Sequence, residues 1–405
     1  MPTAVQNLIV LGDSLSDVGN KREAPTGLFA RALKAMRTNE IGRFSDGKNW
    51  TDFLVEWTGA APLVRGDEVP AGGSVVRPYG RGASATGGPG GGRARGFDAP
   101  ESATLPHRSL TTRSMLLKTD TNANPPLFYA NYAEGGAIAA SDWKPKAGAL
   151  GYLKDEIEAY LAARRAMGAN YRGHTLHIIW IGLNDIVTAE RGAGLVMGER
   201  EVYRVGYFES NKDGTGITPI IEEIKGLVDS IANASGNRDQ EHFLLIDLPS
   251  PTISIRFLDQ IADGKRKQVD KFEANTVRFN DQLDYLATHW PSTAEDPGPG
   301  AKKDNITLVR MNAWMKFVAE HQDAFDLKGF AQEHGVPVHY LGQRDPVEPV
   351  FRRFLTTSDL AHPTEAVYQL IARKIAEDLL TKYTLGKLTA QTWPALRPYP
   401  AVVPE

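Results

Sequence analysis

Short apolar runs alternate along this chain with longer segments of helical period. Residues 7–11, 127–130, 176–181, 243–246 and 306–309 are nearly continuous in apolar character and bounded by turn-forming residues. Runs of that length suit strands buried on both faces. Between them, Leu153, Ile157, Tyr160 and Leu161 fall on one helical face, as do Ile220, Ile224, Leu227, Val228 and Ile231. A last helix is predicted to begin near Pro363 and to present Val367, Leu370, Ile371 and Ile375. Proline suits a first helical turn because its missing N–H has no intrahelical partner there. The alternation of strand and helix predicts an α/β fold with a parallel sheet covered on both faces.

One stretch breaks the rhythm. Residues 71–96 are dominated by Gly, Arg, Ala and Pro and include Gly87-Gly88-Pro89-Gly90-Gly91-Gly92. Such a composition buries too little apolar surface to offset its ordering entropy, so residues of about 61–121 are read as a flexible insertion. A phosphate-cradling loop would need a strand before it, a helix after it and usually a Lys, and these signals are missing. Residues 389–405, rich in proline, read as an extended surface tail. The expected organisation is one catalytic domain over residues 1–388, carrying the insertion and followed by the tail.

Composition narrows the function classes. With 41% hydrophobic and 23% charged residues in a chain of 405, a substantial core can form. The net charge of -3, from 46 basic and 49 acidic residues, provides no field to hold a polyanion, so nucleic acid is not an expected partner. There are no cysteines, which removes thiolate catalysis, disulfides and Cys-ligated metal without indicating a compartment. The N-terminus has no basic region followed by a long apolar run, and no stretch reaches eighteen consecutive apolar residues. The expectation is a chain with no signal peptide and no transmembrane segment, either cytoplasmic or exported by a signal-independent route, unless a signal has been removed. Transient contact with a membrane surface stays open.

Four segments carry candidate chemistry. In Leu8-Ile9-Val10-Leu11-Gly12-Asp13-Ser14-Leu15-Ser16-Asp17 an apolar strand ends at a glycine and delivers a serine to the sheet's C-terminal edge, where open α/β folds bind ligands. Read alone, Asp13 or Ser14 could equally be a helix N-cap. Asn131-Tyr132-Ala133-Glu134-Gly135-Gly136-Ala137 follows the next strand, and its paired glycines would let backbone N–H groups approach a reacting oxygen, or would simply form a turn. The strand containing His177 runs into Gly182-Leu183-Asn184-Asp185, and the Asn184 amide could reach an oxyanion. In Ser358-Asp359-Leu360-Ala361-His362-Pro363-Thr364, a carboxylate three residues before an imidazole can hold one ring nitrogen while the other faces a hydroxyl. Asp13, Asp17 and Asp185 beside these residues are expected to brace turns and the helix start through backbone hydrogen bonds. No His-x-x-x-His or carboxylate cluster with ligand spacing accompanies the segments, so neither metal nor cofactor is expected.

In order and loop context these segments resemble the GDSL/SGNH hydrolases. The resemblance implies a three-layer α/β/α, flavodoxin-like parallel sheet of about five strands. It implies Ser14 as nucleophile and oxyanion donor, with Gly136 (Gly135 as the alternative) and Asn184 completing the oxyanion hole, and Asp359 and His362 as the remaining triad members. Arg43-Phe44 through Trp50 and Phe53 is similar to the Arg-Phe-x-x-Gly-x-x-Trp-x-x-Phe segment of the lipolytic branch, which includes bacterial phospholipases, thermolabile hemolysins and glycerophospholipid:cholesterol acyltransferases. The implied function is a serine esterase or lipase acting on a small-molecule or lipid ester, probed against three alternatives: an acyltransferase, a carbohydrate O-deacetylase and a non-catalytic binding protein on the same scaffold.

Overall fold

The computed structural model describes residues 2–23, 38, 42–45, 47–60, 115–117, 127–139, 144–145, 151–189, 195–197, 200–201, 219–289, 305–325, 327 and 361–391. Its centre is strand β1 (Thr3–Gly12), in which Leu8, Ile9, Val10 and Leu11 are essentially removed from solvent. β1 pairs in parallel with β5 (His174–Trp180) along one edge. Along its other edge it pairs with β3 (Leu127–Asn131) toward its C-terminal end and with β10 (Tyr383–Leu385) at its start. β8 (Glu241–Ile246) and β9 (Ile306–Val309) continue the parallel sheet beyond β5. β2 (Met115–Leu117) adds an antiparallel edge next to β3.

The five long parallel strands therefore run β3-β1-β5-β8-β9, the flavodoxin-like order, which reverses direction at the first strand and opens a crevice at its C-terminal end. A separate three-stranded sheet joins β4 (Lys144–Pro145), β6 (Leu195–Met197) and β7 (Arg200–Glu201). Helices α1 (Asn20–Glu23) and α2 (Trp50–Trp57) precede β2. α3 (Leu153–Met167), α4 (Leu183–Ala189), α5 (Pro219–Ala234), α6 (Ile255–Ala262) and α7 (Arg266–His289) come between β4 and β9, and α8 (Met311–Glu320) and α9 (Glu365–Leu380) follow β9. α3, α5 and α7 pack in succession as one layer, whereas α9 joins α2 and α8 in the other.

Each strand core predicted from apolar runs is present, and the ends differ for a physical reason. β1 starts at Thr3 because residues 3–5 pair with β10, more than 370 positions away, a partner that no local period reveals. β5 and β8 begin at His174 and Glu241, polar residues whose neighbours complete their hydrogen bonds. The last helix starts at Glu365, not at Pro363: Thr364, extended at φ -70° and ψ 163°, is its N-cap, and Pro363 lies outside the first turn. The longest helix, α7, was not predicted as a separate element. Its buried Val269, Phe272, Thr276, Phe279, Leu283 and Leu286 recur every three or four residues, but charged residues dilute the stripe. Of residues 61–121, only β2 lies within the described residues, and of the expected tail only residues 389–391, which are exposed.

Candidate active site

The turn after β1 is shaped by its close approach to β5. Gly12 has φ +142°, and a Cβ there would lie 2.1 Å from the Trp180 carbonyl oxygen, so only glycine fits. The Asp13 N–H then donates to that same carbonyl at 3.2 Å, and the Ser16 N–H donates to the Asp13 carbonyl at 3.0 Å. This tight turn lifts Ser14 to the sheet's C-terminal edge. Ser14 is only 8% exposed, yet its Oγ lies 2.7 Å from Nε2 of His362, 348 positions along the chain. The His362 ring in turn lies against Phe44, with centroids 5.1 Å apart. An alcohol and an imidazole at that separation are placed for proton transfer. Asp359, the carboxylate expected to orient this ring, lies outside the described residues.

The two other segments converge on the same turn. The Asn184 amide, in the first turn of α4, donates to the Ala137 carbonyl at 3.1 Å and to Asp13 Oδ2 at 3.4 Å. The adjacent Asp185 is buried and accepts from the Ala139 N–H at 2.9 Å. The two glycines that sequence could not separate differ in state. The Gly135 N–H is engaged by Asp17 Oδ2 at 2.7 Å, and a Cβ at Gly135 would strike the Phe44 ring at 2.4 Å. Gly136, at φ +82°, has no partner for its N–H among the described residues, and the same holds for the N–H of Ser14.

Beneath these groups lies a buried polar brace. Asp17 accepts from the N–H groups of Gly19, Asn20 and Lys21 as well as Gly135, which ties the serine turn to the glycine turn. Burial pushes its carboxyl up to about 6 against these donors. Glu156 of α3 accepts from the Gly12 N–H at 2.8 Å and the Glu134 N–H at 3.2 Å, and burial raises its carboxyl well above the ordinary range. The Arg43 guanidinium pairs with the buried Asp52 and donates to the Val18 carbonyl at 2.8 Å. Asn49 caps α2 and donates to the Asp17 carbonyl at 2.9 Å, and the Trp50 indole N–H reaches Ser16 Oγ at 3.3 Å. The Arg-Phe…Trp segment thus holds the serine turn from outside. Sequence reasoning missed Glu156, although an acidic residue three after Leu153 and four before Tyr160, on an otherwise apolar helix face, was a legible signal.

Burial also pushes the Asp13 carboxyl up to about 7, while the Leu15 N–H and the nearby His362 pull it back. Ser14, Asn184 and His362 open onto a cleft. Its walls are largely apolar, with Leu15, Leu183, Val187, Ile253, Phe257 and Met315 among them. Among the described residues no group of three or more His, Cys, Asp or Glu is arranged to hold a metal ion, and no helix is long and apolar enough to cross a membrane.

No curated protein matches the chain. A family model described as GDSL-like Lipase/Acylhydrolase matches residues 8–375.

Proposed function

Because the chain belongs to the GDSL-like lipase/acylhydrolase family and is thereby an ester hydrolase, we propose that it cleaves carboxylic esters through an acyl-enzyme formed on Ser14. The 2.7 Å contact between Ser14 Oγ and His362 Nε2 carries this reading. His362 takes the hydroxyl proton as Oγ attacks the ester carbonyl carbon, and then delivers that proton to the departing alcohol. Water, activated by the same imidazole, releases the acid and restores the serine. Asp359 orients the imidazole and stabilises its charged form.

The tetrahedral oxyanion is held by the N–H groups of Ser14 and Gly136 and by the Asn184 amide. The free state of the first two supports their assignment, and the engagement of Gly135 with Asp17 favours Gly136 over its neighbour. For Asn184, the 3.4 Å contact to Asp13 is the weaker of its two hydrogen bonds, and that hydrogen is the one available to substrate.

The apolar cleft walls favour an aliphatic acyl chain over acetyl, hence an esterase or lipase over a carbohydrate deacetylase. Transfer to an alcohol acceptor would use the same groups and differ only in what attacks the acyl-enzyme. A fluorophosphonate probe should label Ser14, identified by peptide mass spectrometry, and p-nitrophenyl octanoate should be cleaved with higher kcat/KM than the acetate. Labelling at another residue would reject the nucleophile, and a preference for acetate would reject the aliphatic substrate. Added glycerol that diverts acyl groups into glyceride would establish the transferase variant.

A further inference from the structure

One part of the cleft lining comes from residues 249–257, the loop after β8 and the first turn of α6. It is mostly apolar, with Pro249, Pro251, Ile253 and Phe257, but Arg256 also lines it. Elsewhere, Lys316 pairs with Glu273 at 3.1 Å and Arg310 with Asp284 at 2.9 Å. Half-buried Arg256 has neither an ion pair nor a hydrogen bond among the described residues. A guanidinium keeps its charge at every accessible pH and presents five N–H donors, so one left unpaired at the lining of a cleft has binding capacity to spare for an anionic group there. The carboxyl lining the same cleft, Asp13, is held by the Leu15 N–H and the Asn184 amide, and burial disfavours its charge. Among the described residues that line the cleft, Arg256 is therefore the permanent charge.

We infer that Arg256 is a specificity-determining residue, and that the preferred ester carries an anionic group, a carboxylate or a phosphate, that pairs with Arg256 while Ser14 engages the carbonyl. This rests on the esterase reading of the same site. The aliphatic part of such a substrate lies along Leu183, Val187, Ile253 and Phe257, and its charged end meets the guanidinium. A charge-assisted, two-point contact of this kind discriminates by about tenfold or more against a neutral ester of equal length.

The test compares matched pairs. On the acyl side, p-nitrophenyl hydrogen adipate is set against p-nitrophenyl hexanoate; on the alcohol side, 1-hexanoylglycerol 3-phosphate against 1-hexanoylglycerol. The wild-type protein should favour the anionic member of at least one pair by about tenfold in kcat/KM, mainly through KM, and the favoured pair identifies whether the anion belongs to the acid or to the alcohol. In Arg256→Gln that ratio should fall to about one, and Arg256→Lys should retain part of it. Because the readout is a ratio within one preparation, partial misfolding of a variant does not imitate the effect. A wild-type ratio near one in both pairs, or a preference that survives Arg256→Gln, overturns the inference and leaves the esterase reading standing. Calorimetry with octyl phosphate and octanol, which contain no carboxylic ester, tests the same contact independently of turnover. Tighter binding of octyl phosphate that is lost in Arg256→Gln supports the inference even if no ester is cleaved, and equal binding of the two probes counts against it.

Discussion

Toward the N-terminal half of the sheet, His177 hydrogen-bonds the Tyr160 hydroxyl at 3.0 Å and the His242 carbonyl at 3.1 Å. Tyr160 meets Tyr171, Tyr171 meets Thr175, and Arg164 donates to the buried Glu241 at 2.7 Å. His174 and His242 share a further contact at 2.9 Å. At the opposite edge, Ser14, His362 and Asn184 are just as firmly placed, but donors there face an open cleft. Both regions bury polar side chains at the ends of the same strands. In the first, side chains pair mostly with one another and tie α3 to the sheet, although Glu241 Oε2 accepts no hydrogen bond among the described residues; in the second, the N–H groups of Ser14 and Gly136 have no partner among the described residues. Polar burial by itself therefore does not mark a site; what sets the proposed site apart is a pair of backbone donors left over beside the Ser14–His362 contact. His177 illustrates the closed state: burial lowers its pKa to about 3, so it stays neutral and inert across the ordinary pH range.

Substitutions should separate the two regions. Ser14→Ala removes the proposed nucleophile and should lower kcat toward p-nitrophenyl esters by roughly 10⁶-fold with little change in melting temperature. Residual turnover within tenfold of wild type would break the comparison outright. Asn184→Ala, which removes one of the three proposed oxyanion donors, should cost roughly 10²–10³ in kcat, read by the same assay on protein whose circular dichroism is unchanged.

Glu241→Ala addresses the closed network. It should lower stability by about 2 kcal/mol, measured by urea denaturation, because Arg164 loses its charged acceptor, and it should leave kcat of the remaining folded protein unaltered. A selective loss of kcat would show that the two ends of the sheet are coupled.

The subtlest effect concerns Asp13, whose carboxyl is raised from 3.8 to about 7 on folding. Between those pH values the folded chain holds a proton that the unfolded chain has released, so this residue makes stability fall as pH rises through the window. Asp13→Asn has no proton to release and should gain in denaturation midpoint relative to wild type as pH is raised from 4 to 7. A difference that stays constant with pH would contradict the assigned burial of charge.

Much of the sheet was legible because buried parallel strands must be apolar on both faces, and that requirement is written locally. The cores of β1, β3, β5, β8 and β9 follow from it directly. β10 did not, since its partner is the opposite end of the chain, and α7 did not, since its apolar stripe is interrupted by charge. At the site, the residue types and their order were readable: a serine after a strand-ending glycine, paired glycines, an Asn at a strand end, a His before the last helix. Among the bracing carboxylates, the helix-start role of Asp17 was readable beside Ser14, whereas Glu156 and Asp52 look like surface residues until their N–H and guanidinium partners are assembled around them.

By itself, then, the amino-acid order determined the strand cores, the α/β class and the inventory of reactive groups, because periodicity and motif spacing act over a few residues. Only the tertiary structure decided that His362 meets Ser14, that the Gly135 N–H is engaged by Asp17 while that of Gly136 has no partner among the described residues, and that Arg256 lines the same cleft as Ser14 and His362. Those outcomes depend on which distant segments come within hydrogen-bonding distance, and hydrogen bonds, unlike hydrophobic periodicity, are made or lost over a few tenths of an ångström.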